Sequence, residues 1–346
     1  MEYRALGLTD LRVSVICLGT MTWGEQNSPQ DAHAQLDRAL ALGVNFIDAA
    51  ELYPVPARAE TSGSTESIIG DWLAARGNRD QVILATKVAG PSAMSWIRAG
   101  QARLNRAHIR QALEGSLRRL QTDYIDLYQL HWPDRRTNYF GRLGYEHQLE
   151  EAATPLEESL AALNELAQEG KIRHIGLSNE TPWGTMRCLQ LAGQGVGPRV
   201  VSVQNPYNLL NRSYEIGMAE VSCRESCGLL AYSPLAFGLL SGKYQDGARP
   251  PGARMTIFGP YFDRYASAQS ALAVDAYVTL ARKQNLSPAQ MSLAFVNSRP
   301  FVTSSIIGAT SLAQLEENIA SLDVTLDEEA LDEIESIHRR WPNPAP

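Results

Sequence analysis

The sequence predicts a single (β/α)8 barrel, and three observations carry that prediction. Eight short apolar runs alternate with segments of helical period along the chain, an order that builds a closed parallel sheet more readily than a doubly wound one. The runs are apolar on consecutive residues, as strands covered on both faces must be. No GxGxxG follows an early strand, so the fingerprint of an open dinucleotide-binding sheet is absent.

Taken in order, EYRAL and LRVSV joined by GLTD predict a small hairpin ahead of the barrel. SVICL (14–18) is the first barrel strand, and the helix DAHAQLDRALALG after it stops at Gly43. VNFID (44–48) precedes STESIIGDWLAARG, with Ser64 or Thr65 to cap its start and Gly77 its end. VILATK (82–87) leads to RAHIRQALEGSLRRLQ. YIDLYQLH (124–131) leads to PLEESLAALNELAQEG, where Pro155 suits the first helical position and Gly170 the stop. IRHIGLS (172–178), VVSVQ (200–204), LLAYS (229–233) and SSIIG (304–308) complete the eight. Helices are expected at 182–192, 214–226, 268–284, 288–298, 312–320 and 327–339. Three connections, 88–107, 132–154 and 234–267, are too long for simple turns. All three follow strands, which in a barrel puts them on the face where sites are built. No linker or low-complexity stretch divides residues 1–346, so one domain is expected.

With 346 residues, 44% apolar and 20% charged, the chain can bury a large core. A net charge of −7 excludes broad attraction to nucleic acid or anionic lipid, though not a local phosphate pocket. No apolar run approaches the roughly 18 residues of a membrane span, and the first residues lack a signal-peptide pattern. Cys17, Cys188, Cys223 and Cys227 have no usual zinc spacing, so reduced thiols in a cytoplasmic protein without a metal are expected.

The chemistry sits at strand ends. Asp48, Lys87 and His131 close three successive strands, and Tyr53 follows Asp48 on the next loop. Singly, each has a structural explanation: a rim aromatic, a capping ion pair, a satisfied histidine. Jointly they suit proton transfer to a small polar substrate. A phenol near pKa ~10 is a poor acid at neutral pH, and an ammonium from Lys87 would lower it. Asp48 would hold that lysine, while His131 would hydrogen-bond a substrate oxygen as charge develops. The other strands also deliver polar or glycine residues: Gly19 and Thr20, Ser178 and Asn179, Gln204, Ser233, and Gly308 to Thr310. Glycine turns with Lys243 and Arg254 after strand seven, and IIGATSLAQLEEN after strand eight, suit a phosphate-bearing cofactor.

These residues resemble the aldo-keto reductase superfamily, through LGTMTWG, NFIDAAELY, ATKV, DLYQLHWPD, IRHIGLSN, QNPYNLLNR, AYSPLAFGLLSGKY and IIGATSLAQLEEN in family order over the whole chain. The likeness is strongest to the branch with potassium-channel β subunits and bacterial reductases. It implies an NADPH-dependent reductase of aldehydes or ketones, with Tyr53 as general acid in a tetrad with Asp48, Lys87 and His131. It further implies Gly19 and Thr20 beside the cofactor, and Ser178, Asn179 and Gln204 on the nicotinamide carboxamide. Tyr232 would stack on the nicotinamide ring. Ser233, Leu235, Ala236 and Gly238 would line the pyrophosphate, with Pro234, Phe237, Leu239, Leu240, Ser241 and Gly242 of the same segment against the cofactor. Lys243 and Arg254 would lie near phosphate, and Gly308, Thr310, Gln314, Glu317 and Asn318 would hold the adenosine half. Ser311 stands where many relatives carry a basic residue, leaving the 2′-phosphate to Lys243 and Arg254.

Aromatic loops 91–106 (Trp96, with Arg98 and Arg103) and 134–152 (Tyr139, Phe140, Tyr145) are expected to shape the substrate pocket with Trp23 and Trp132. Two alternatives stand beside the carbonyl reductase: a cofactor-occupied redox sensor or accessory subunit, and a barrel aldolase using Lys87 as Schiff-base nucleophile. The oligomeric state is not legible.

Overall fold

The computed structural model describes residues 1–148 and 152–345. β1 (Tyr3–Ala5) and β2 (Arg12–Ser14) pair antiparallel as the expected hairpin. Leu6 and Val13 from it are fully buried against Cys17, Phe46, Leu127 and Leu230 of the barrel interior, so the hairpin plugs one end. β3 (Ile16–Gly19), β4 (Phe46–Asp48), β5 (Ile83–Val88), β6 (Ile125–Leu130), β7 (Ile172–Ser178), β8 (Val200–Pro206), β9 (Gly228–Tyr232) and β10 (Val302–Ile307) follow. They close into one parallel barrel in which β10 returns to pair with β3. Because β2 runs straight into β3, the hairpin lies at the strands' amino ends. The carboxyl ends are left open, and every residue singled out for chemistry lies toward that open end.

α1 (Pro29–Ala41), α2 (Ser64–Arg76), α3 (Arg106–Leu120), α4 (Leu156–Gln168), α5 (Pro182–Gly193), α6 (Met218–Arg224), α8 (Ala268–Lys283), α9 (Pro288–Asn297), α10 (Leu312–Ile319) and α11 (Glu328–Arg340) cover the outside, while the short α7 (Arg254–Phe258) lies in the loop after β9 beside the cleft. Their apolar faces, with the outward strand residues such as Leu84, Tyr128 and Val203, form the main core.

Three local expectations needed correction. Neither Ser64 nor Thr65 caps α2: Gly63 precedes it in the left-handed region (φ 84), and Thr65 Oγ1 donates instead to Trp23 O at 2.8 Å. Pro155 is the cap residue of α4 rather than its first helical residue. The helix expected over 214–226 is a 3-10 turn at Ser213–Glu215 and then α6, separated by Gly217 at φ 94. No described helix is long and apolar enough to cross a membrane. Among the described residues no cluster could hold a metal ion, and all four cysteines are unpaired.

Candidate active site

The strands bring the four candidate side chains to one point. Lys87, fully buried at the end of β5, donates from Nζ to Asp48 Oδ2 at 2.6 Å, to Ala49 O at 2.7 Å and to Tyr53 Oη at 3.3 Å. Parallel pairing of β4 with β5 brings Asp48 alongside Ala85. The turn after β4 then zips along the same strand, with Ala49 N–H on Ala85 O and Glu51 N–H on Lys87 O, which swings Tyr53 back over the ammonium. His131, one residue past β6, presents its ring edge-on to Tyr53 at 5.8 Å between centroids. Asp48, Tyr53 and His131 line a cleft of about 880 Å³; Lys87 lies beneath its floor.

Electrostatics sharpen these roles. Burial raises the Tyr53 pKa; Lys87 pulls it down and Asp48 pushes it up, and the net shift is upward. The expected lowering by Lys87 is present, but desolvation outweighs it. Burial works to deprotonate Lys87, yet Asp48 and Tyr53 hold its pKa above the ordinary lysine value. A buried ammonium with three acceptors is no free nucleophile, which disfavours the Schiff-base alternative. Burial, then Lys87, drives His131 well below the ordinary histidine value, so its imidazole is neutral at pH 7. Its Nδ1 is buried without a partner among the described residues.

A residue the sequence reading passed over completes this floor. Gln129, mid-strand on β6, donates from Nε2 to Asp48 Oδ1 at 3.1 Å and accepts from Gln204 Nε2 at 3.1 Å; Gln204 Nε2 also reaches Asp48 Oδ1 at 2.8 Å. Its signal was present: a polar residue inside an apolar run, two positions before His131 and so on the same face.

The strand-end residues form the rim. Ser178 Oγ donates to Gln204 O, and Asn179 joins His131 O (2.9 Å) to the Tyr232 hydroxyl (2.7 Å). Asn179, Ser233, Ala236 and Phe237 all have left-handed φ between 46 and 56, strain of the kind that clusters at functional sites. Gly19, Thr20, Ser178, Asn179, Gln204, Tyr232, Ser233, Pro234, Leu235, Phe237, Gly238, Ser241, Lys243 and Arg254 line the cleft, as do Gly308, Thr310, Gln314, Glu317 and Asn318. Four members of the same segment do not. Ala236 and Leu240 are buried in the core, Leu239 packs behind the lining, and Gly242 (φ 78) ends the 3-10 turn with its amide on Leu239 O. A lining segment this tightly turned points only some of its residues outward.

One side of the cleft is cationic. Arg254 lies 5.7 and 5.3 Å over the Phe237 and Phe262 rings, and its Nε is buried without a hydrogen-bond partner among the described residues. Burial lowers its pKa to about 10, still charged at neutral pH. Burial, then Arg254, also lowers Lys243, whose aliphatic chain passes so close to Gly238 (φ 94) that a Cβ there would lie 2.7 Å from Lys243 Cε. Arg264, which sequence reading missed, stands 5.7 Å over the Tyr232 ring. Arg254, half-buried with its Nε unpartnered among the described residues and lying beside Lys243 and Gly308, fits a phosphate-bearing group.

The tetrad side is apolar. Trp132, Tyr139 and Phe140 line it, together with Met21, Leu52, Val55 and Met94, which were not foreseen. Trp23 is fully buried in the core, and Trp96 is 40% exposed away from the cleft. Nor do Arg98, Arg103 and Tyr145 line it: Arg98 pairs with Glu51, Arg103 with Asp134, and Tyr145 points to His147 at the surface. Residues 149–151 of the second loop lie outside the described residues.

This fold and floor belong to a class of barrel oxidoreductases. The chain matches the aldo/keto reductase family over residues 15–339 and belongs to it. It is similar to protein Tas of Escherichia coli, 55% identical over the full length of both chains. It is also similar to the uncharacterized oxidoreductase YrpG of Bacillus subtilis, 34% identical over 96% of this chain and 94% of that one. A third relative is a probable voltage-gated potassium channel subunit beta of rice, 32% identical over 99% and 98%.

Proposed function

We propose that this oxidoreductase uses NADPH to reduce an aldehyde or ketone to an alcohol, with Tyr53 as the general acid. The observation that carries the reading is Lys87 Nζ bridging Asp48 Oδ2 and Tyr53 Oη at the cleft floor. A reduced nicotinamide bound there would supply a hydride to the carbonyl carbon. Tyr53, protonated at neutral pH, donates its proton to the oxygen as negative charge develops. Lys87 stabilises the phenolate left behind, and the fixed Asp48 carboxylate keeps Lys87 charged and aimed. Neutral His131 offers a hydrogen bond to the same oxygen. Ser178, Asn179 and Gln204 would hold the carboxamide, and Tyr232 would stack on the ring. Lys243 and Arg254 supply charge for the phosphates, and among the described residues no carboxylate pairs with Arg254, which favours the extra 2′-phosphate. The apolar wall of Leu52, Val55, Met94, Trp132, Tyr139 and Phe140 suits an uncharged carbonyl compound. The unpaired cysteines suit a reducing cytoplasm.

The test is oxidation of NADPH across a panel of aldehydes and ketones, wild type beside Tyr53→Phe. We expect kcat to fall about 10³-fold in the variant, with NADPH affinity within about two-fold. Full activity of Tyr53→Phe would remove its assigned role. Tight NADPH binding without turnover in either protein would favour a cofactor-bound accessory subunit; the rice relative is named as a probable channel subunit.

A further inference from the structure

We propose that Glu51 and Arg98 are a positioning pair that sets the substrate wall of the cleft, by locking the loop after β5 onto the turn that carries Tyr53. Glu51 lies two residues before Tyr53, and its backbone N–H donates to Lys87 O at 3.1 Å. Its carboxylate leaves that turn and accepts the Ala89 N–H at 2.5 Å, just past the end of β5. It also takes a two-pronged bond from Arg98, Nη1 to Oε2 at 2.8 Å and Nη2 to Oε1 at 2.6 Å. Both side chains are buried, 8% and 5% exposed, and neither lines the cleft.

The loop they lock does line it. Pro91, Ser92 and Met94 face the cleft between Ala89 and Arg98, the two points that Glu51 grips. Between those grips the loop leans on Trp132, which donates from Nε1 to Pro91 O at 3.1 Å. The fit at Gly90 leaves no slack: a Cβ there would lie 2.5 Å from Trp132 Cδ1. Arg98 and Ala99 hold left-handed φ of 48 and 52, a conformation that L side chains leave unless something pins it. A planar, bidentate guanidinium–carboxylate pair fixes direction as well as distance, so it can pin one. Because the two charges neutralise each other, the pair acts through geometry rather than through a field on Tyr53.

The inference rests on the reductase reading for its kinetic test but not for its structural one. Glu51→Gln keeps an acceptor for Ala89 and removes the charge; Arg98→Met removes the partner, and Arg98→Lys keeps the charge without the fork. Each is assayed with NADPH against propanal, which is small, and benzaldehyde, which reaches the wall. In Glu51→Gln and Arg98→Met the benzaldehyde KM is expected to rise about ten-fold. Benzaldehyde kcat, propanal KM and NADPH affinity should stay within about three-fold. Arg98→Lys should recover part of the benzaldehyde KM. Hydrogen exchange over 89–100 should quicken in both damaging variants, whether or not a substrate is turned over. Where a lone buried charge prevents folding, the neutral double variant Glu51→Gln/Arg98→Met carries the test with the same expected outcome. Equal losses for both aldehydes, or unchanged exchange over 89–100, would overturn the proposal. If the wild type reduces no carbonyl, the reductase reading fails while the exchange result still decides the role of the pair.

Discussion

Tyr53 keeps its proton at neutral pH because burial outweighs the ammonium beside it; on the proposed reading this suits a donor, which must hold its proton until charge develops on its acceptor. The four strand-end residues were legible because each interrupts or follows an apolar run with a group that the interior would otherwise exclude. Gln129 was passed over although it does the same, since an amide inside a strand reads as tolerated polarity until its partner is seen to be Asp48. Arg254 was legible as a cation near glycine turns; that its Nε is buried without a partner was not. On the proposed reading, Arg254→Met should weaken NADPH binding about 10- to 100-fold, the loss of one charge-assisted phosphate contact. NADH binding should change far less, and titration of both cofactors checks the difference.

The strands and most helices follow from local pattern. Ser28 begins α1 with a capping box, accepting from Asp31 N while Asp31 takes the Ser28 N–H. α2 shows where local pattern stops: left-handed Gly63 precedes it, and the Thr65 hydroxyl donates to Trp23 O, a contact across 42 residues. Its packing gives an element-scale test. A Cβ on Gly70, mid-helix, would lie 2.1 Å from Arg119 O at the end of α3, backbone that cannot step aside. Gly70→Ala is therefore expected to cost about 3 kcal/mol. Gly77→Ala, at the left-handed end of the same helix (φ 61) with nothing within 4 Å of its Cβ, should cost only about 1 kcal/mol. Denaturant melts of the two variants separate close approach from backbone conformation.

At the scale of the molecule, the barrel carries four histidines held below their ordinary pKa chiefly by burial: His108, His131, His174 and His338. As pH falls through about 6.5, the unfolded chain takes up protons there that the folded one does not, so stability must fall with pH. Carboxylates held low, Asp134 and Glu215 among them, add a second loss further down as pH drops below the ordinary carboxylate range. A melting temperature that declines from pH 7 to 5.5, above the ordinary carboxylate range, is the expected result. A flat profile over that window would show those histidines ionising freely in the fold. The net charge of −7 hides the cationic side of the cleft, which exists only once the loop after β9 has folded over it.

The sequence by itself determined the barrel, the order of its strands and the four groups at its floor. Apolar period and strand-end chemistry are local, and a parallel barrel sends every strand's last residue to one face. Only the tertiary structure decided which aromatic residues meet the cleft. Trp23 and Trp132 read alike in the sequence, yet one packs inward beside α2 and the other lines the cleft. It also decided that Arg98 turns beneath that wall to Glu51. Side-chain direction in a long loop is set by contacts with distant residues, and no local period records those.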